Sequence, residues 1–291
     1  MVMFQGVVED RNDPLKVGRV KVRCFGFHSP NKQDLPTADL PWAHPITPIT
    51  SASMSEIGQA PVGPVEGTWV IGFFRDGEDA QFPIFFGTVP GIESQKPNTQ
   101  EGFGDPNGKY PLEEGGNCCA RICRNEDIEN TIVQQKRNSI DSCSCPAGDG
   151  QSQTRTEPST PYDCRYPFNH VKKTESGHVE EFDDTPGKER IHVYHKSGTF
   201  NEIHPDGTTV TKIVKDNYTA ILGDETLSIK GKVFVQVVGD TSIQVDGNTQ
   251  LQFGGDVDAN IDRKLTLSVG NGIEVAGGPS IKQTADRIDL N

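Results

Sequence analysis

The sequence predicts an all-β protein with an N-terminal barrel, a polar connecting region and a C-terminal β-helix that identical chains build together. Three observations carry this prediction. A glycine-containing turn recurs every eight residues in the last part of the chain. The first part holds about five short runs rich in alternating apolar residues. The 291 residues include 31 Gly and 20 Pro but are only 33% hydrophobic, which indicates a turn-rich, elongated protein.

The C-terminal repeat is the most regular feature of the chain. A glycine followed by a polar residue marks each predicted turn, because glycine adopts turn conformations at little cost. These turn glycines are Gly223, Gly231, Gly239, Gly247 and Gly255. Apolar residues follow four and six positions later, the spacing of a short strand with one inward face. The predicted core of the repeat is therefore Leu227, Ile229, Val235, Val237, Ile243, Val245, Leu251, Phe253, Ile261, Leu267 and Val269.

One copy of this repeat should not be stable alone. Each unit offers about two core side chains, whereas ordering the backbone costs roughly 1–2 kcal/mol per residue. Identical chains that pool their inward faces solve this problem, and closed winding also removes exposed strand edges. We therefore predict an intertwined homotrimeric β-helix over residues 223–291. A sandwich of short strands is the alternative, but sandwich strands rarely keep a strict octad.

The N-terminal region, residues 1–95, reads as a small barrel. Five predicted strands cover residues 4–8, 19–27, 42–49, 68–74 and 82–89, with uneven loops between them. Asp76-Gly77-Glu78-Asp79 is a hairpin turn signal between the last two strands. Five strands with this spacing suggest a Greek-key barrel such as the OB-fold.

The middle of the chain divides into two predicted regions. Residues 96–164 form an arm and a cysteine-rich linker, with a short helix expected within residues 119–140. Residues 165–222 form a β-rich neck, whose predicted strands cover 177–182, 190–195, 199–204 and 208–214. The neck leads directly into the octads.

The formal charge of −13 argues against a protein that binds nucleic acid or anionic lipid. Arg19, Lys21 and Arg23 do alternate along one predicted strand. In an acidic chain, this pattern favours an exposed strand face or a protein-docking surface over a nucleic-acid site. No secretory signal and no membrane-spanning run are predicted.

The cysteines offer weak metal candidates. Cys119-x₃-Cys123 fits a zinc knuckle loosely, and Cys143-x-Cys145 is tighter than usual. Disulfides and reduced thiols are the alternatives, so neither a metal nor a cofactor is expected. His192 and His195 lie three apart on a predicted strand and should face opposite sides.

No catalytic residue is predicted. The sequence lacks a nucleophile elbow, a Walker loop and a dinucleotide fingerprint. Glu126, Asp127 and Glu129 are clustered acids in the linker, but no surrounding domain is available to tune them for glycoside hydrolysis.

Several long motifs give the chain a family resemblance. Residues 6–23, GVVEDRNDPLKVGRVKVR, and the shorter stretches 40–42, 48–52 and 63–68 resemble the N-terminal OB domain of the central spike proteins of contractile-tailed bacteriophages. Residues 174–187, TESGHVEEFDDTPG, resemble the start of that family's trimeric β-helix needle. The spikes of type VI secretion systems use a similar passage. The resemblance covers about 1–110 and 165–291.

This resemblance implies a non-enzymatic spike in the virion, at the tip of the tail baseplate. The barrel would dock on the hub ring protein below the tail tube, and the needle would pierce the host outer membrane. Some spikes in this family hold a tip metal through histidines, but no histidine follows His204, so that metal is not expected. Residues 280–291 would then end the needle by packing, or by recruiting a small tip-capping protein. Only residues 113–162 stand where the best known member carries a lysozyme domain. Residual cell-wall hydrolase activity, or a spike of a related contractile injection system, are the alternatives.

Overall fold

The structure is a computed structural model that describes residues 1–91, 98–111, 142–146, 152–278, 280–282 and 284, with 142–146 and 152–155 described by backbone alone. Within these ranges the regular structure consists of β-strands and two short 3₁₀ turns. The predicted all-β class is confirmed. The helix expected within 119–140 lies outside the described residues. No helix in the described ranges is long and apolar enough to cross a membrane.

The N-terminal region forms a closed five-stranded barrel, as predicted. Its strands are β1 (Val2–Asp10), β2 (Val20–Cys24), β3 (Trp42–Pro45), β4 (Trp69–Phe74) and β5 (Pro83–Thr88). They close in the order β1-β2-β3-β5-β4. The pair β3–β5 is parallel and the other pairs are antiparallel.

The barrel core comes from the inward positions of these strands. Phe4 and Phe74 pack with ring centroids 4.8 Å apart. The other core members include Val8, Val20, Val22, Cys24, Ala43, Val70, Ala80 and Phe85. Gly72 lets β4 approach β5 closely, because a Cβ there would lie 2.0 Å from the carbonyl oxygen of Ile84. A larger residue at position 72 would therefore push the strands apart.

The prediction that Arg19, Lys21 and Arg23 form an exposed or docking face is wrong. Arg23 is fully buried, and its guanidinium forms an ion pair with Glu9 at 2.6 Å. Arg19 forms an ion pair with Asp13 at 2.7 Å, and the Lys21 ammonium donates to the carbonyl of Ala38. The loop after β2 covers this face, because the carbonyls of Ser29 and Leu35 also accept from Arg23.

The part of the arm that the structure describes, residues 98–111, packs on the barrel. Phe103 stacks on Phe25 with centroids 4.3 Å apart, and its backbone N–H donates to Glu9. The buried carboxylate of Asp105 accepts from the backbone N–H groups of Asn107, Lys109 and Tyr110. These bonds fix the loop that carries Lys109 and Tyr110.

The neck contains an antiparallel five-stranded sheet. Its strands are β8 (Asn169–Lys173), β9 (Val179–Asp183), β10 (Arg190–Tyr194), β11 (Phe200–Ile203) and β12 (Thr209–Lys212), and neighbours in sequence pair in space. The last four agree with predicted strands, whereas β8 was not predicted. Strands β6 (Ser142–Pro146) and β7 (Ser152–Thr156) form a separate two-stranded sheet, which was also not predicted.

Candidate functional site

The octad segment follows an extended path with a bend at every eighth residue. Bends fall at 214–215, 222–223, 230–231, 238–239, 246–247, 254–255, 262–263 and 270–271. The five turn glycines each occupy the second residue of a bend. None of the five has a positive φ, and a Cβ on any of them would meet nothing within 4 Å. The single chain therefore supplies no reason for glycine at these positions.

The predicted core residues of the octads are exposed in the single chain. Their exposed fractions range from 49% at Ile229 to 85% at Ile243, with Val245 at 56%. No strand pair forms among the described residues after β12. Soluble proteins rarely leave such a long apolar series in water. Since one chain does not bury these residues, the placement of the core remains a prediction about the assembled protein.

The neck sheet has a second apolar surface. Phe182, Ile191 and Ile203 lie directly opposite one another across β9, β10 and β11, and all three are exposed. Val193, also exposed, lies two residues further along β10. We call these four residues the neck apolar face. Cross-strand neighbours of this kind form a continuous patch that another surface can cover.

The opposite face of the neck sheet buries a charged cluster. Arg190 donates to Glu181 at 2.9 Å and to Glu202 at 3.0 Å, and its guanidinium lies 4.6 Å from the ring centroid of Tyr162. His192 Nδ1 lies 2.9 Å from the Glu181 carboxylate. Glu181, Arg190, His192 and Glu202 are all buried. The cluster thus connects three strands.

His192 lies in β10 and His195 directly follows that strand, and the two histidines have different environments. His192 is buried in the charged cluster, whereas His195 is exposed and its ring packs 4.5 Å from that of His178. The Nδ1 atom of His195 also lies 2.8 Å from the Ser197 hydroxyl oxygen. Both histidines therefore have structural surroundings within the neck.

The charged cluster should make the neck sensitive to strong acid. Burial alone would raise the pKa of Glu181, but the hydrogen bond from His192 and the charge of Arg190 together lower it from 4.5 to about 2. The unfolded chain therefore takes up this proton first. The stabilisation by Glu181 is complete above pH 4.5 and should be lost as pH falls toward 2. Hydrogen exchange in β9 and β10 measures this loss.

A matched pair of variants separates this effect from general acid denaturation. Glu181→Gln should weaken the acid dependence of exchange in these two strands, because the titrating carboxylate is gone. Glu180→Gln, on the partly exposed side of the same strand, should keep the wild-type acid dependence. Equal acid profiles for all three proteins would contradict the assignment to Glu181.

The structure describes only some of the cysteines that were candidates for a metal site. Cys119 and Cys123 lie outside the described residues, and Cys143 and Cys145 lie in β6, where only the backbone is described. Burial raises the pKa of the Cys24 thiol to about 12, so this core thiol is a weak nucleophile. Among the residues described with side chains, no group of three His, Cys, Asp or Glu is arranged to hold a metal.

The outer surface of the barrel carries an apolar strip. Met3, Phe73 and Ile84 lie opposite one another across β1, β4 and β5, and Phe86 lies beside them with its ring centroid 6.4 Å from that of Phe73. Met3 and Phe86 are exposed. We call these four residues the barrel apolar strip. Sequence reasoning missed it because it attended to the charged residues of β2.

Comparison with known proteins places these features in a family context. Residues 26–170 match the family described as the Gp5 N-terminal OB domain. The chain is 41% identical over 261 residues to Protein Gp5 of Vibrio phage KVP40, an alignment covering 79% of this chain and 62% of that protein. It is 52% identical over 117 residues to the pre-baseplate central spike protein Gp5 of Enterobacteria phage T4, covering 38% and 20%. The chain thus spans less than two thirds of either relative.

Proposed function

Because the chain is a member of the family of proteins with a Gp5 N-terminal OB domain, we propose that it is a structural spike of a phage tail baseplate. The phage T4 relative is named a pre-baseplate central spike protein. That name describes a spike of the baseplate. The observation that carries the proposal is the octad segment, whose bends repeat every eight residues while its apolar residues stay uncovered by their own chain.

The proposed assembly is a homotrimer. Three features of the single chain support it: the exposed octad core, the neck apolar face, and the turn glycines that no intrachain contact requires. Copies wound together would bury the exposed octad core and the neck apolar face. They would also give each extended octad segment a hydrogen-bonding partner on another chain. Close approach of neighbouring chains would account for the glycines. The result would be a stiff shaft with a dry core, suited to carrying compression.

The native mass of the full chain tests this proposal. Sedimentation equilibrium should give three times the chain mass of 31.8 kDa. A monomer at micromolar concentration would remove the proposal, since the octads would then lack a partner. Peptidoglycan zymography tests the non-enzymatic role separately, and a clearing band would contradict it.

The partners follow from the same proposal. The barrel apolar strip is the surface we assign to docking on the hub ring protein, because its Met3 and Phe86 side chains are exposed and it belongs to neither the neck nor the octads. The octad shaft would pierce the host outer membrane when the tail contracts, and a small protein could cap its end. Co-purification of the full chain with the hub ring measures the docking step, and failure to co-purify at any salt concentration would argue against it.

A further inference from the structure

A polar cluster joins the turn of the neck hairpin to the barrel. Glu175 lies in the turn between β8 and β9. Its carboxylate accepts from Arg11, which follows β1, at 3.1 Å, and from the Lys109 ammonium and the Tyr110 hydroxyl of the arm. Arg11 also forms an ion pair with the buried Glu66 at 3.2 Å. One carboxylate therefore holds groups from two separate parts of the N-terminal region.

Each side of this cluster also has supporting contacts of its own. On the barrel side, Asp105 holds the backbone of Lys109 and Tyr110, and Glu66 anchors Arg11. On the neck side, the Gly177 N–H donates to the carbonyl of Thr174 at 3.0 Å, and Gly177 adopts a φ of +93° that closes the turn. Preorganised donors lose little side-chain freedom on contact, unlike the partners of an ordinary surface ion pair.

The charge state of the cluster is stable under ordinary conditions. Hydrogen bonds from Arg11, Lys109 and Tyr110 hold the pKa of Glu175 well below its usual range. The carboxylate therefore stays ionised and accepts all of these bonds at neutral pH. Arg11 and Lys109 remain cationic, and the same contacts raise the pKa of each.

We propose that Glu175 is a positioning residue that locks the neck hairpin onto the barrel, so that load passes between them through a polar clamp. The geometry of the clamp stands by itself, while its mechanical purpose rests on the proposed spike function. Arg11 and Glu175 are 164 positions apart in the chain, so the clamp fixes an orientation that sequence neighbours alone do not. The clamp turns the barrel and the neck into one rigid base for the shaft.

Hydrogen exchange on the full chain tests the clamp at its two contact segments, residues 105–110 and 174–178. Glu175→Ala should speed exchange several-fold in both segments, because each loses its partner. Glu175→Gln should show a smaller effect of the same sign. Tyr110→Phe removes one hydroxyl and should speed exchange in residues 174–178 even if a Glu175 variant folds poorly. Small-angle scattering should show a broader distance distribution for Glu175→Ala.

Glu180→Gln is the matched control. Glu180 forms an ion pair with Lys172 inside the neck sheet, at 3.2 Å, and takes no part in the Glu175 cluster. Its loss should leave both segments at wild-type exchange rates. Salt gives a readout that a purely structural role would not move: at about 1 M salt, where the screening length is about 3 Å, wild-type exchange should rise, whereas Glu175→Ala should no longer respond.

Two outcomes separate the clamp from the wider proposal. Wild-type exchange rates in both segments of Glu175→Ala and Tyr110→Phe would overturn the clamp, whatever the native mass. If the wild-type chain is a monomer but the two variants still show faster exchange, the clamp is supported and the trimeric spike is contradicted. The two inferences can therefore fail independently.

Discussion

Val245→Asp should abolish trimer assembly. Val245 holds the second core position of the central octad, and in a threefold assembly its three copies would meet near one axis. Burying three carboxylates there without partners costs several kcal/mol for each at least. The exposed position of Val245 in the single chain means that the substitution does not disturb the isolated fold. Sedimentation of the full chain should therefore show monomers with an intact barrel.

The neighbouring residue provides the control for this substitution. Gln244 should face outward in the assembly, so Gln244→Asp adds the same charge to the same octad and should leave the trimer intact. A trimer of wild-type mass in Val245→Asp would refute the core register. Dissociation of both variants would instead indicate that charge alone, and not burial, controls assembly.

The octad period could be read from the sequence because it is a local property. Turn chemistry and alternation act within eight residues, and the bends follow the same period. The barrel strands were also predictable from alternation. Strand β8 was not, because Asn169–Lys173 contains Val171 as its single apolar residue. Its pairing with β9 supplies the stability that its own sequence does not.

The neck shows where binary patterning misleads. The pattern of polar and apolar residues predicts that Arg190, Glu181 and Glu202 are exposed to solvent. They are instead buried together with Tyr194 and Phe200. Their burial depends on the segment before β8, since Thr160 donates to Glu202 and the Tyr162 ring covers Arg190. Such contacts join distant positions, so no local period announces them.

The burial of the charged face and the exposure of the apolar face of the neck sheet together favour assembly with other copies. In the single chain, the polar face of the neck sheet is covered and the neck apolar face is exposed. The charged cluster forms its ion pairs within one chain, whereas the apolar face would gain from contact with another copy. The sheet therefore makes its polar interactions within one chain and leaves its apolar face available to other copies. The octads likewise leave their apolar residues available to other copies. The Glu175 clamp escaped sequence reasoning for the same reason as the charged cluster, since its donors are remote in sequence.

Arg23→Met should be the most damaging single change in the barrel. Arg23 and Glu9 are both buried, and the Arg23 guanidinium bonds both oxygens of the carboxylate. Removing the cation leaves Glu9 with two donors among the described residues, the Thr37 hydroxyl and the Phe103 backbone N–H. Breaking a buried pair in this way costs about 3–5 kcal/mol. The chain has two tryptophans, Trp42 and Trp69, both in the barrel, so tryptophan fluorescence during urea denaturation measures this loss in the full chain.

The pH dependence of this loss identifies its cause. Burial alone would raise the pKa of Glu9, but the hydrogen bonds from Arg23, Thr37 and Phe103 lower it below 4.5. In the wild type, the ionised Glu9 therefore stabilises the barrel above pH 4.5, and this contribution is lost as pH falls further. Without Arg23, burial raises that pKa, and acid should neutralise the stranded carboxylate. The stability gap between wild type and Arg23→Met should therefore begin to narrow above pH 4.5, where the variant's buried carboxylate takes up a proton, and should narrow further below pH 4.5 as the wild type loses its own stabilisation. Glu9→Gln in the variant should recover part of the gap at neutral pH. Arg75→Met, at an exposed barrel position, should leave the urea midpoint unchanged, and an equal effect of the two Arg→Met changes would contradict the buried-pair explanation.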